Sequence, residues 1–184
     1  LRLPDRYITS NIAMGLGGFL QGYIGRVRNV QIQQSIFPEV ITNFQEVPLS
    51  ADTNFTNNRN GIIGNQLLRN FTIIIDYIRG DLYLLPVVKK IKPAVYDRSG
   101  LVLSAYGASL SRYTVVDVVA GSPAAGAGIR KGDELKSING LPAGLFSLED
   151  ITKKLRKKVG KRVRLVIERD NVKLKKEFEL RNIL

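Results

Sequence analysis

The chain has 184 residues, with 28 Lys and Arg against 16 Asp and Glu, a formal net charge of +12, 44% hydrophobic residues, and neither His nor Cys. A chain without His or Cys holds no Ser-His-Asp triad, no Cys-His dyad and no His or Cys zinc site, while carboxylates remain, and no metal or cofactor is expected. The length suits one to two domains, no apolar run approaches a bilayer span, and the lack of Cys leaves the redox compartment open.

In chain order, the first distinctive segment is Met14-Gly15-Leu16-Gly17-Gly18-Phe19, a glycine-rich hairpin tip. Glycines let such a tip open and close at little steric cost and let main-chain amides approach a bound peptide. The segment lacks the GxGxxG spacing and the βαβ surroundings of a dinucleotide site. The stretch from Ser50 to Asn60 reads as a polar loop, with Asp52-Thr53-Asn54 as turn residues that bond their own backbone. Gly61 and Gly64 bracket Ile62 and Ile63, which predicts buried isoleucines where the backbone passes close to another element. A short helix comes next, with Asn65 as N-cap, Leu67 and Leu68 as the apolar face and Asn70 as the stop. Phe71 to Tyr77 reads as a strand, Arg79-Gly80-Asp81 as a turn, and Leu82 to Leu85 as the returning strand. The run VVKKIKP marks an exposed connector, which sets a boundary between Pro86 and Pro93.

The segment GIIGNQLLRNFTIIIDYIRGDLYLLP, from Gly61 to Pro86, resembles the closing part of a retropepsin-like aspartic protease domain. Gly15, Leu16, Gly17, Gly18 and Phe19 resemble the flap tip of such proteases, which would meet the substrate backbone. The resemblance implies that Gly61, Ile62, Ile63 and Gly64 support the active site without transferring protons. Catalysis in that family needs an Asp-Thr-Gly or Asp-Ser-Gly motif, and this sequence contains neither. Asp52-Thr53-Asn54 has Asn in place of Gly and falls after the flap, out of family order, and Asp5 lacks the motif too. The expectation is that the catalytic Asp lies upstream of Leu1, that this chain alone is inactive, and that the parent protein is an aspartic endopeptidase. Two such domains, in a homodimer or a tandem repeat, would be needed to pair the carboxylates that share a proton and activate water.

The second region predicts a small β-barrel with two helices. Leu101 to Tyr106 and Val115 to Val119 read as strands. Ser122-Pro123 opens an Ala-rich helix with Ser as N-cap and Pro at the first helical position, and Gly128 ends that turn. Glu134 to Ile138 alternates as a strand, and Asn139-Gly140 is a hairpin turn. A second helix starts at Ser147, with Asp150 at the capping-box position and Leu148, Ile151 and Leu155 on one face, and Gly160 is its expected stop. Val163, Leu165 and Ile167 alternate as a strand, and Val172, Leu174, Phe178 and Leu180 return after a turn at Asp170-Asn171.

The run VVDVVAGSPAAGAGIRKGDELKSING, Val115 to Gly140, resembles a PDZ domain of the bacterial protease-associated type. Residues 1–88 are thus expected to form the C-terminal part of a retropepsin-like β-barrel and 94–184 a PDZ domain, in a mainly β fold. The resemblance implies a groove that takes an extended peptide, usually a C-terminus, as an added strand. Arg98, Ser99, Gly100 and Leu101 would supply free amides for the terminal carboxylate, Leu101, Val102 and Leu103 the edge strand, and Ile151 and Leu155 the helix wall. By alternation Leu101 and Leu103 share one face and Val102 takes the other. The same helix residues equally suit plain core packing.

Lys153, Lys154, Arg156, Lys157, Lys158, Lys161, Arg162 and Arg164 crowd the second helix and the stretch after it. Such a field favours acidic peptides or anionic surfaces, but without interleaved aromatics it reads as a solvated face and not as a nucleic-acid platform. The sequons at Asn54 and Asn70 are assigned no role. Expected partners are peptide or protein substrates, with no nucleic acid and no membrane span, in an exported or cell-envelope protein. The alternative is a non-catalytic PDZ adaptor on a protease-like scaffold. A chymotrypsin-like protease with a PDZ tail fits less well, because its nucleophile loop is absent.

Overall fold

The computed structural model describes residues 3–15, 18–45, 61–87 and 93–184. The described residues are mainly β, with 51% strand and 12% helix. It divides into two compact units, one drawing on Arg26–Thr42 and on residues up to Ala94, the other on residues up to Gly25, on Asn43–Gln45 and on Val95–Leu184. Leu16, Gly17, the polar loop with Asp52-Thr53-Asn54, and the connector residues 88–92 lie outside the described residues. No helix among the described residues is long and apolar enough to cross a membrane.

Strands β1 (Tyr7–Gly15), β2 (Gly18–Ile32) and β3 (Ser35–Phe44) form a three-stranded sheet in that order. In the first unit, Phe37 and Phe71 are both buried and meet with ring centroids 5.8 Å apart, the nucleus of a small core. Helix α1 (Asn65–Leu68) leads into the antiparallel hairpin of β4 (Phe71–Asp76) and β5 (Asp81–Pro86). The predicted order of short helix and hairpin is therefore present. Asp76 Oδ1 accepts the Ile78 and Arg79 amides and shapes the turn. Asn70 stops α1 by donating its side-chain amide to the Gln66 and Leu67 carbonyls.

Two local expectations are corrected here. The N-cap of α1 is Gly64 and not Asn65, and no side chain bonds the first amides. Ile62 is 93% exposed and Ile63 is exposed as well, because no described element packs over them. Burial of a backbone-flanked isoleucine pair depends on what covers it, and that is a tertiary property.

In the second unit, β1 and β2 pair antiparallel from Tyr7↔Gly25 to Gly15↔Gly18, so Gly15 and Gly18 face each other at the hairpin tip. Exposed Phe19 carries the Lys131 ammonium over its ring at 5.3 Å. The main sheet has the order β11-β10-β8-β7-β6, with β9 (Leu141–Pro142) paired to β8. Its strands are β6 (Leu101–Tyr106), β7 (Arg112–Val118), β8 (Glu134–Ile138), β10 (Arg162–Arg169) and β11 (Val172–Glu179). Ser10 Oγ and the Asn11 amide both donate to Asp117 Oδ2 on β7, which ties the β1–β2 hairpin to this sheet.

Local chemistry sets both helices of this unit. Ser122 accepts the Ala125 amide and Pro123 opens α2 (Pro123–Gly126). Ser147 and Asp150 form a reciprocal capping box at the start of α3 (Leu148–Leu155). Asn139 takes positive φ before Gly140 in the tight turn after β8, and its side chain accepts the Arg164 amide. One end differs from expectation, because α3 stops at Leu155 well before Gly160. Arg98 Nη1 donates to the Arg156 and Lys157 carbonyls and so satisfies acceptors that a longer helix would otherwise use internally.

The core joins Tyr113, Val115, Leu135, Ile138, Ile151, Leu155, Val163, Leu165, Ile167 and Leu180. Each large aliphatic among them contributes about 1.5–3 kcal/mol by leaving water. Three ion pairs brace the sheet. Arg169 Nε and Nη2 donate to the two carboxylate oxygens of buried Asp133 at 2.6 and 2.8 Å, and the Arg130 amide donates at 2.8 Å. Arg112 Nε donates to Glu134 Oε1 at 3.1 Å, and Lys136 Nζ lies 3.1 Å from Oε2.

Burial alone would raise the Asp133 carboxyl, but the Arg169 fork and the Arg130 amide outweigh it and hold Asp133 below its usual value of 3.8. Glu134 is lowered from 4.5 to about 2, chiefly by its hydrogen bonds from Arg112. For a carboxyl with a depressed folded value, the stabilisation is present above the unfolded value and is lost as pH falls through the folded one. The unit is therefore expected to lose stability as pH drops from 4.5 toward about 2. Urea midpoints measured across that window check this, and a flat profile would contradict it.

Candidate functional site

The residues from Asp97 to Tyr106 run as a loop and then an end strand. β6 is the last strand of its sheet, so among the described residues its outer edge has no strand partner. Its inner edge pairs antiparallel with β7, from Leu101↔Val118 to Tyr106↔Arg112, with a register shift between Val102 and Leu103. Leu101 is buried in the core and half-buried Leu103 and Ala105 pack against it, while half-buried Val102 is not among the residues that do. Helix α3 packs against β6, and the Arg98 amide donates to the Leu155 carbonyl, so loop and helix end are joined. The result is an open sheet edge beside an amphipathic helix, the arrangement that accepts a further strand.

Gly100 has φ +80°, a conformation that favours glycine, and a Cβ built there would overlap the Ser122 Cβ and Oγ. The Val119 amide donates to the Gly100 carbonyl and the Ala124 amide to the Ser99 carbonyl, which fastens the loop to the start of α2.

The amides expected to be free in this loop are not free. Asp97 Oδ1 accepts the Ser99 amide at 2.8 Å, the Gly100 amide at 2.7 Å and the Ser99 hydroxyl at 2.7 Å. The Leu101 amide donates to Ser99 Oγ at 3.1 Å. Asp97 is absent from the residues that sequence reasoning picks out, although an Asp two residues before Ser-Gly is a recognisable backbone-capping signal. Burial raises the Asp97 carboxyl above its usual value in spite of these donors, and burial, with the Asp97 charge second, pushes the Tyr96 phenol up to about 12.

Arg98 is likewise engaged, with Nε on the Asn182 side chain at 3.0 Å and Nη1 on the Lys157 carbonyl at 2.7 Å. Ile151 is 0% and Leu155 is 2% exposed, so in this structure both are core residues and present no wall to a ligand. They face inward because the capping box starts the helix with Ile151 and Leu155 one turn apart on the covered stripe. Beside the loop, an open cleft of 720 Å³ is lined by Arg98, Arg156, Lys157, Lys158, Val159, Gly160 and Lys161. Other cations of the basic region are solvated or paired, with Lys153 2.8 Å from Glu149 and Lys154 over the Phe146 ring.

Residues 114–169 match the family model of a PDZ domain. The chain contains a PDZ domain. PDZ domains bind peptide C-termini. Among solved structures, the chain is similar to a photosystem II D1 C-terminal processing protease, with 23% identity, a TM-score of 0.43, and coverage of 48% of this chain and 23% of that one. It is also similar to the HtrA-type protease AlgW with decapeptide, with 15% identity, a TM-score of 0.45, and coverage of 97% of this chain and 61% of that one. The chain thus spans less than two thirds of either protein. No curated protein matches the sequence. None of these matches supports the aspartic protease resemblance of residues 1–88.

Proposed function

We propose that the PDZ domain binds an extended peptide as an added strand along β6 and beside α3, and that this binding serves a protease. The observation that carries the reading is the outer edge of β6, which has no strand partner among the described residues and lies next to a fastened glycine loop and an amphipathic helix. Residues 94–184 make up the domain in this reading. Leu101, Val102 and Leu103 pair with the peptide backbone, the loop Arg98 to Gly100 closes one end of the groove, and Ile151 and Leu155 act only from the core, holding α3 beside β6. An array of decapeptides tested by fluorescence anisotropy against the 184-residue protein is expected to contain binders in the micromolar range, about −8 kcal/mol. An array without any binder would contradict the reading.

The protease we favour is of the aspartic, retropepsin-like type, with residues 1–88 as part of its fold. Support comes from the Gly15–Gly18 hairpin tip and from the order Gly64, α1, β4 and β5. Flap residues Gly15, Leu16, Gly17, Gly18 and Phe19 would cover substrate, and Gly61 to Gly64 would support the catalytic loop. The catalytic Asp would come from outside these 184 residues, and two such domains would complete the site. On this reading the protein is exported to the cell envelope. The chain alone is expected to leave casein uncleaved at acid pH, and pepstatin-sensitive cleavage would contradict that. A second reading, a peptide-binding adaptor, is favoured by the lack of Asp-Thr-Gly and Asp-Ser-Gly in the sequence.

A further inference from the structure

A terminal carboxylate needs two or three amide donors, or a guanidinium, to offset the loss of its water. The Ser99 and Gly100 amides donate to Asp97, the Leu101 amide to Ser99 Oγ, and the Arg98 amide to the Leu155 carbonyl. The Arg98 guanidinium is held by Asn182 and by the backbone after α3. Every backbone donor from Arg98 to Leu101 thus has an internal acceptor. Ser99 is fully buried and Gly100 is buried, so these donors are shielded from water, while Asp97 itself is half-buried. A second carboxylate entering the loop would have to displace Asp97 and would face its charge at close range. Among the described residues the outer edge of β6 has no strand partner, and strand addition asks only for main-chain donors and acceptors on the incoming segment.

We propose that Asp97 is a built-in carboxylate that fills the loop, so that the β6 groove takes an internal extended segment of a protein chain and does not select for a free C-terminus. The proposal rests on the peptide-binding reading above and names the form of peptide bound. It makes Asp97 a specificity-determining residue that acts through the loop amides.

The test uses the decapeptide array on the 184-residue protein, with each peptide made as the free acid and as the C-terminal amide. Binders are expected to have equal affinity in the two forms, within about twofold. In Asp97→Ala the freed amides should favour the free acid by about tenfold or more. Should that variant fail to fold, amide hydrogen exchange in the unliganded wild type decides, with slow exchange expected at Ser99, Gly100 and Leu101. Fast exchange at these amides, or a tenfold preference of the wild type for free acids, would overturn the role of Asp97 and leave peptide binding standing. Absence of binding in both forms, in wild type and variant alike, would overturn the peptide-binding reading and the proposal with it.

Discussion

Gly100→Ala is expected to destabilise the unit that holds Val95–Leu184 by about 2–5 kcal/mol, because it combines backbone strain with overpacking. The residue has φ +80°, and the added methyl would overlap Ser122 near its main chain, where the side chain cannot swing away. Ser122 also caps α2, so relief of the overlap would loosen that helix start. Thermal unfolding should show a fall in Tm of more than about 10 °C for a domain of this size. Gly107→Ala is the matched control. Its φ is +83°, but a Cβ there would meet only Arg112 Cδ at 3.7 Å, so strain alone applies and the cost should be about 1–2 kcal/mol. Equal effects of the two substitutions would show that Gly100 is not held against Ser122.

Ile151→Ala is expected to cost about 2–5 kcal/mol, with Ile151→Val near the low end at about 0.5–1.5 kcal/mol. Ile151 is fully buried among the core residues, so truncation leaves a cavity that the surrounding strands fill only in part. Urea unfolding should show a lower midpoint at an unchanged m-value. A small loss of stability together with a large loss of peptide affinity would instead return Ile151 to the groove wall.

What could be read in the sequence was what neighbouring residues decide among themselves. Ser122 before Pro123 and Ser147 three residues before Asp150 each cap a helix start within one turn and are bonded as that chemistry requires, and Asn139-Gly140 takes the positive φ of a tight turn. Alternation did the same for Val163, Leu165 and Ile167, all buried in β10. What could not be read depends on distant groups. The end of α3 is set by Arg98, more than fifty residues away in the chain, and the exposure of Ile62 and Ile63 by the absence of a covering element among the described residues. Asp97 lies between these cases. Its spacing to Ser99 and Gly100 is local, but the burial that makes its bonds costly to break comes from α2, α3 and the end of the chain packing around the loop.

The most direct test of strand addition at β6 is an amide NMR titration of the 184-residue protein with the tightest decapeptide of the array. Shift changes are expected to concentrate from Leu101 to Tyr106 on β6 and along α3, with β10 and β11 unmoved. Changes confined to the β4–β5 hairpin or to the basic cleft at Lys157 and Lys161, with β6 silent, would contradict strand addition at this edge.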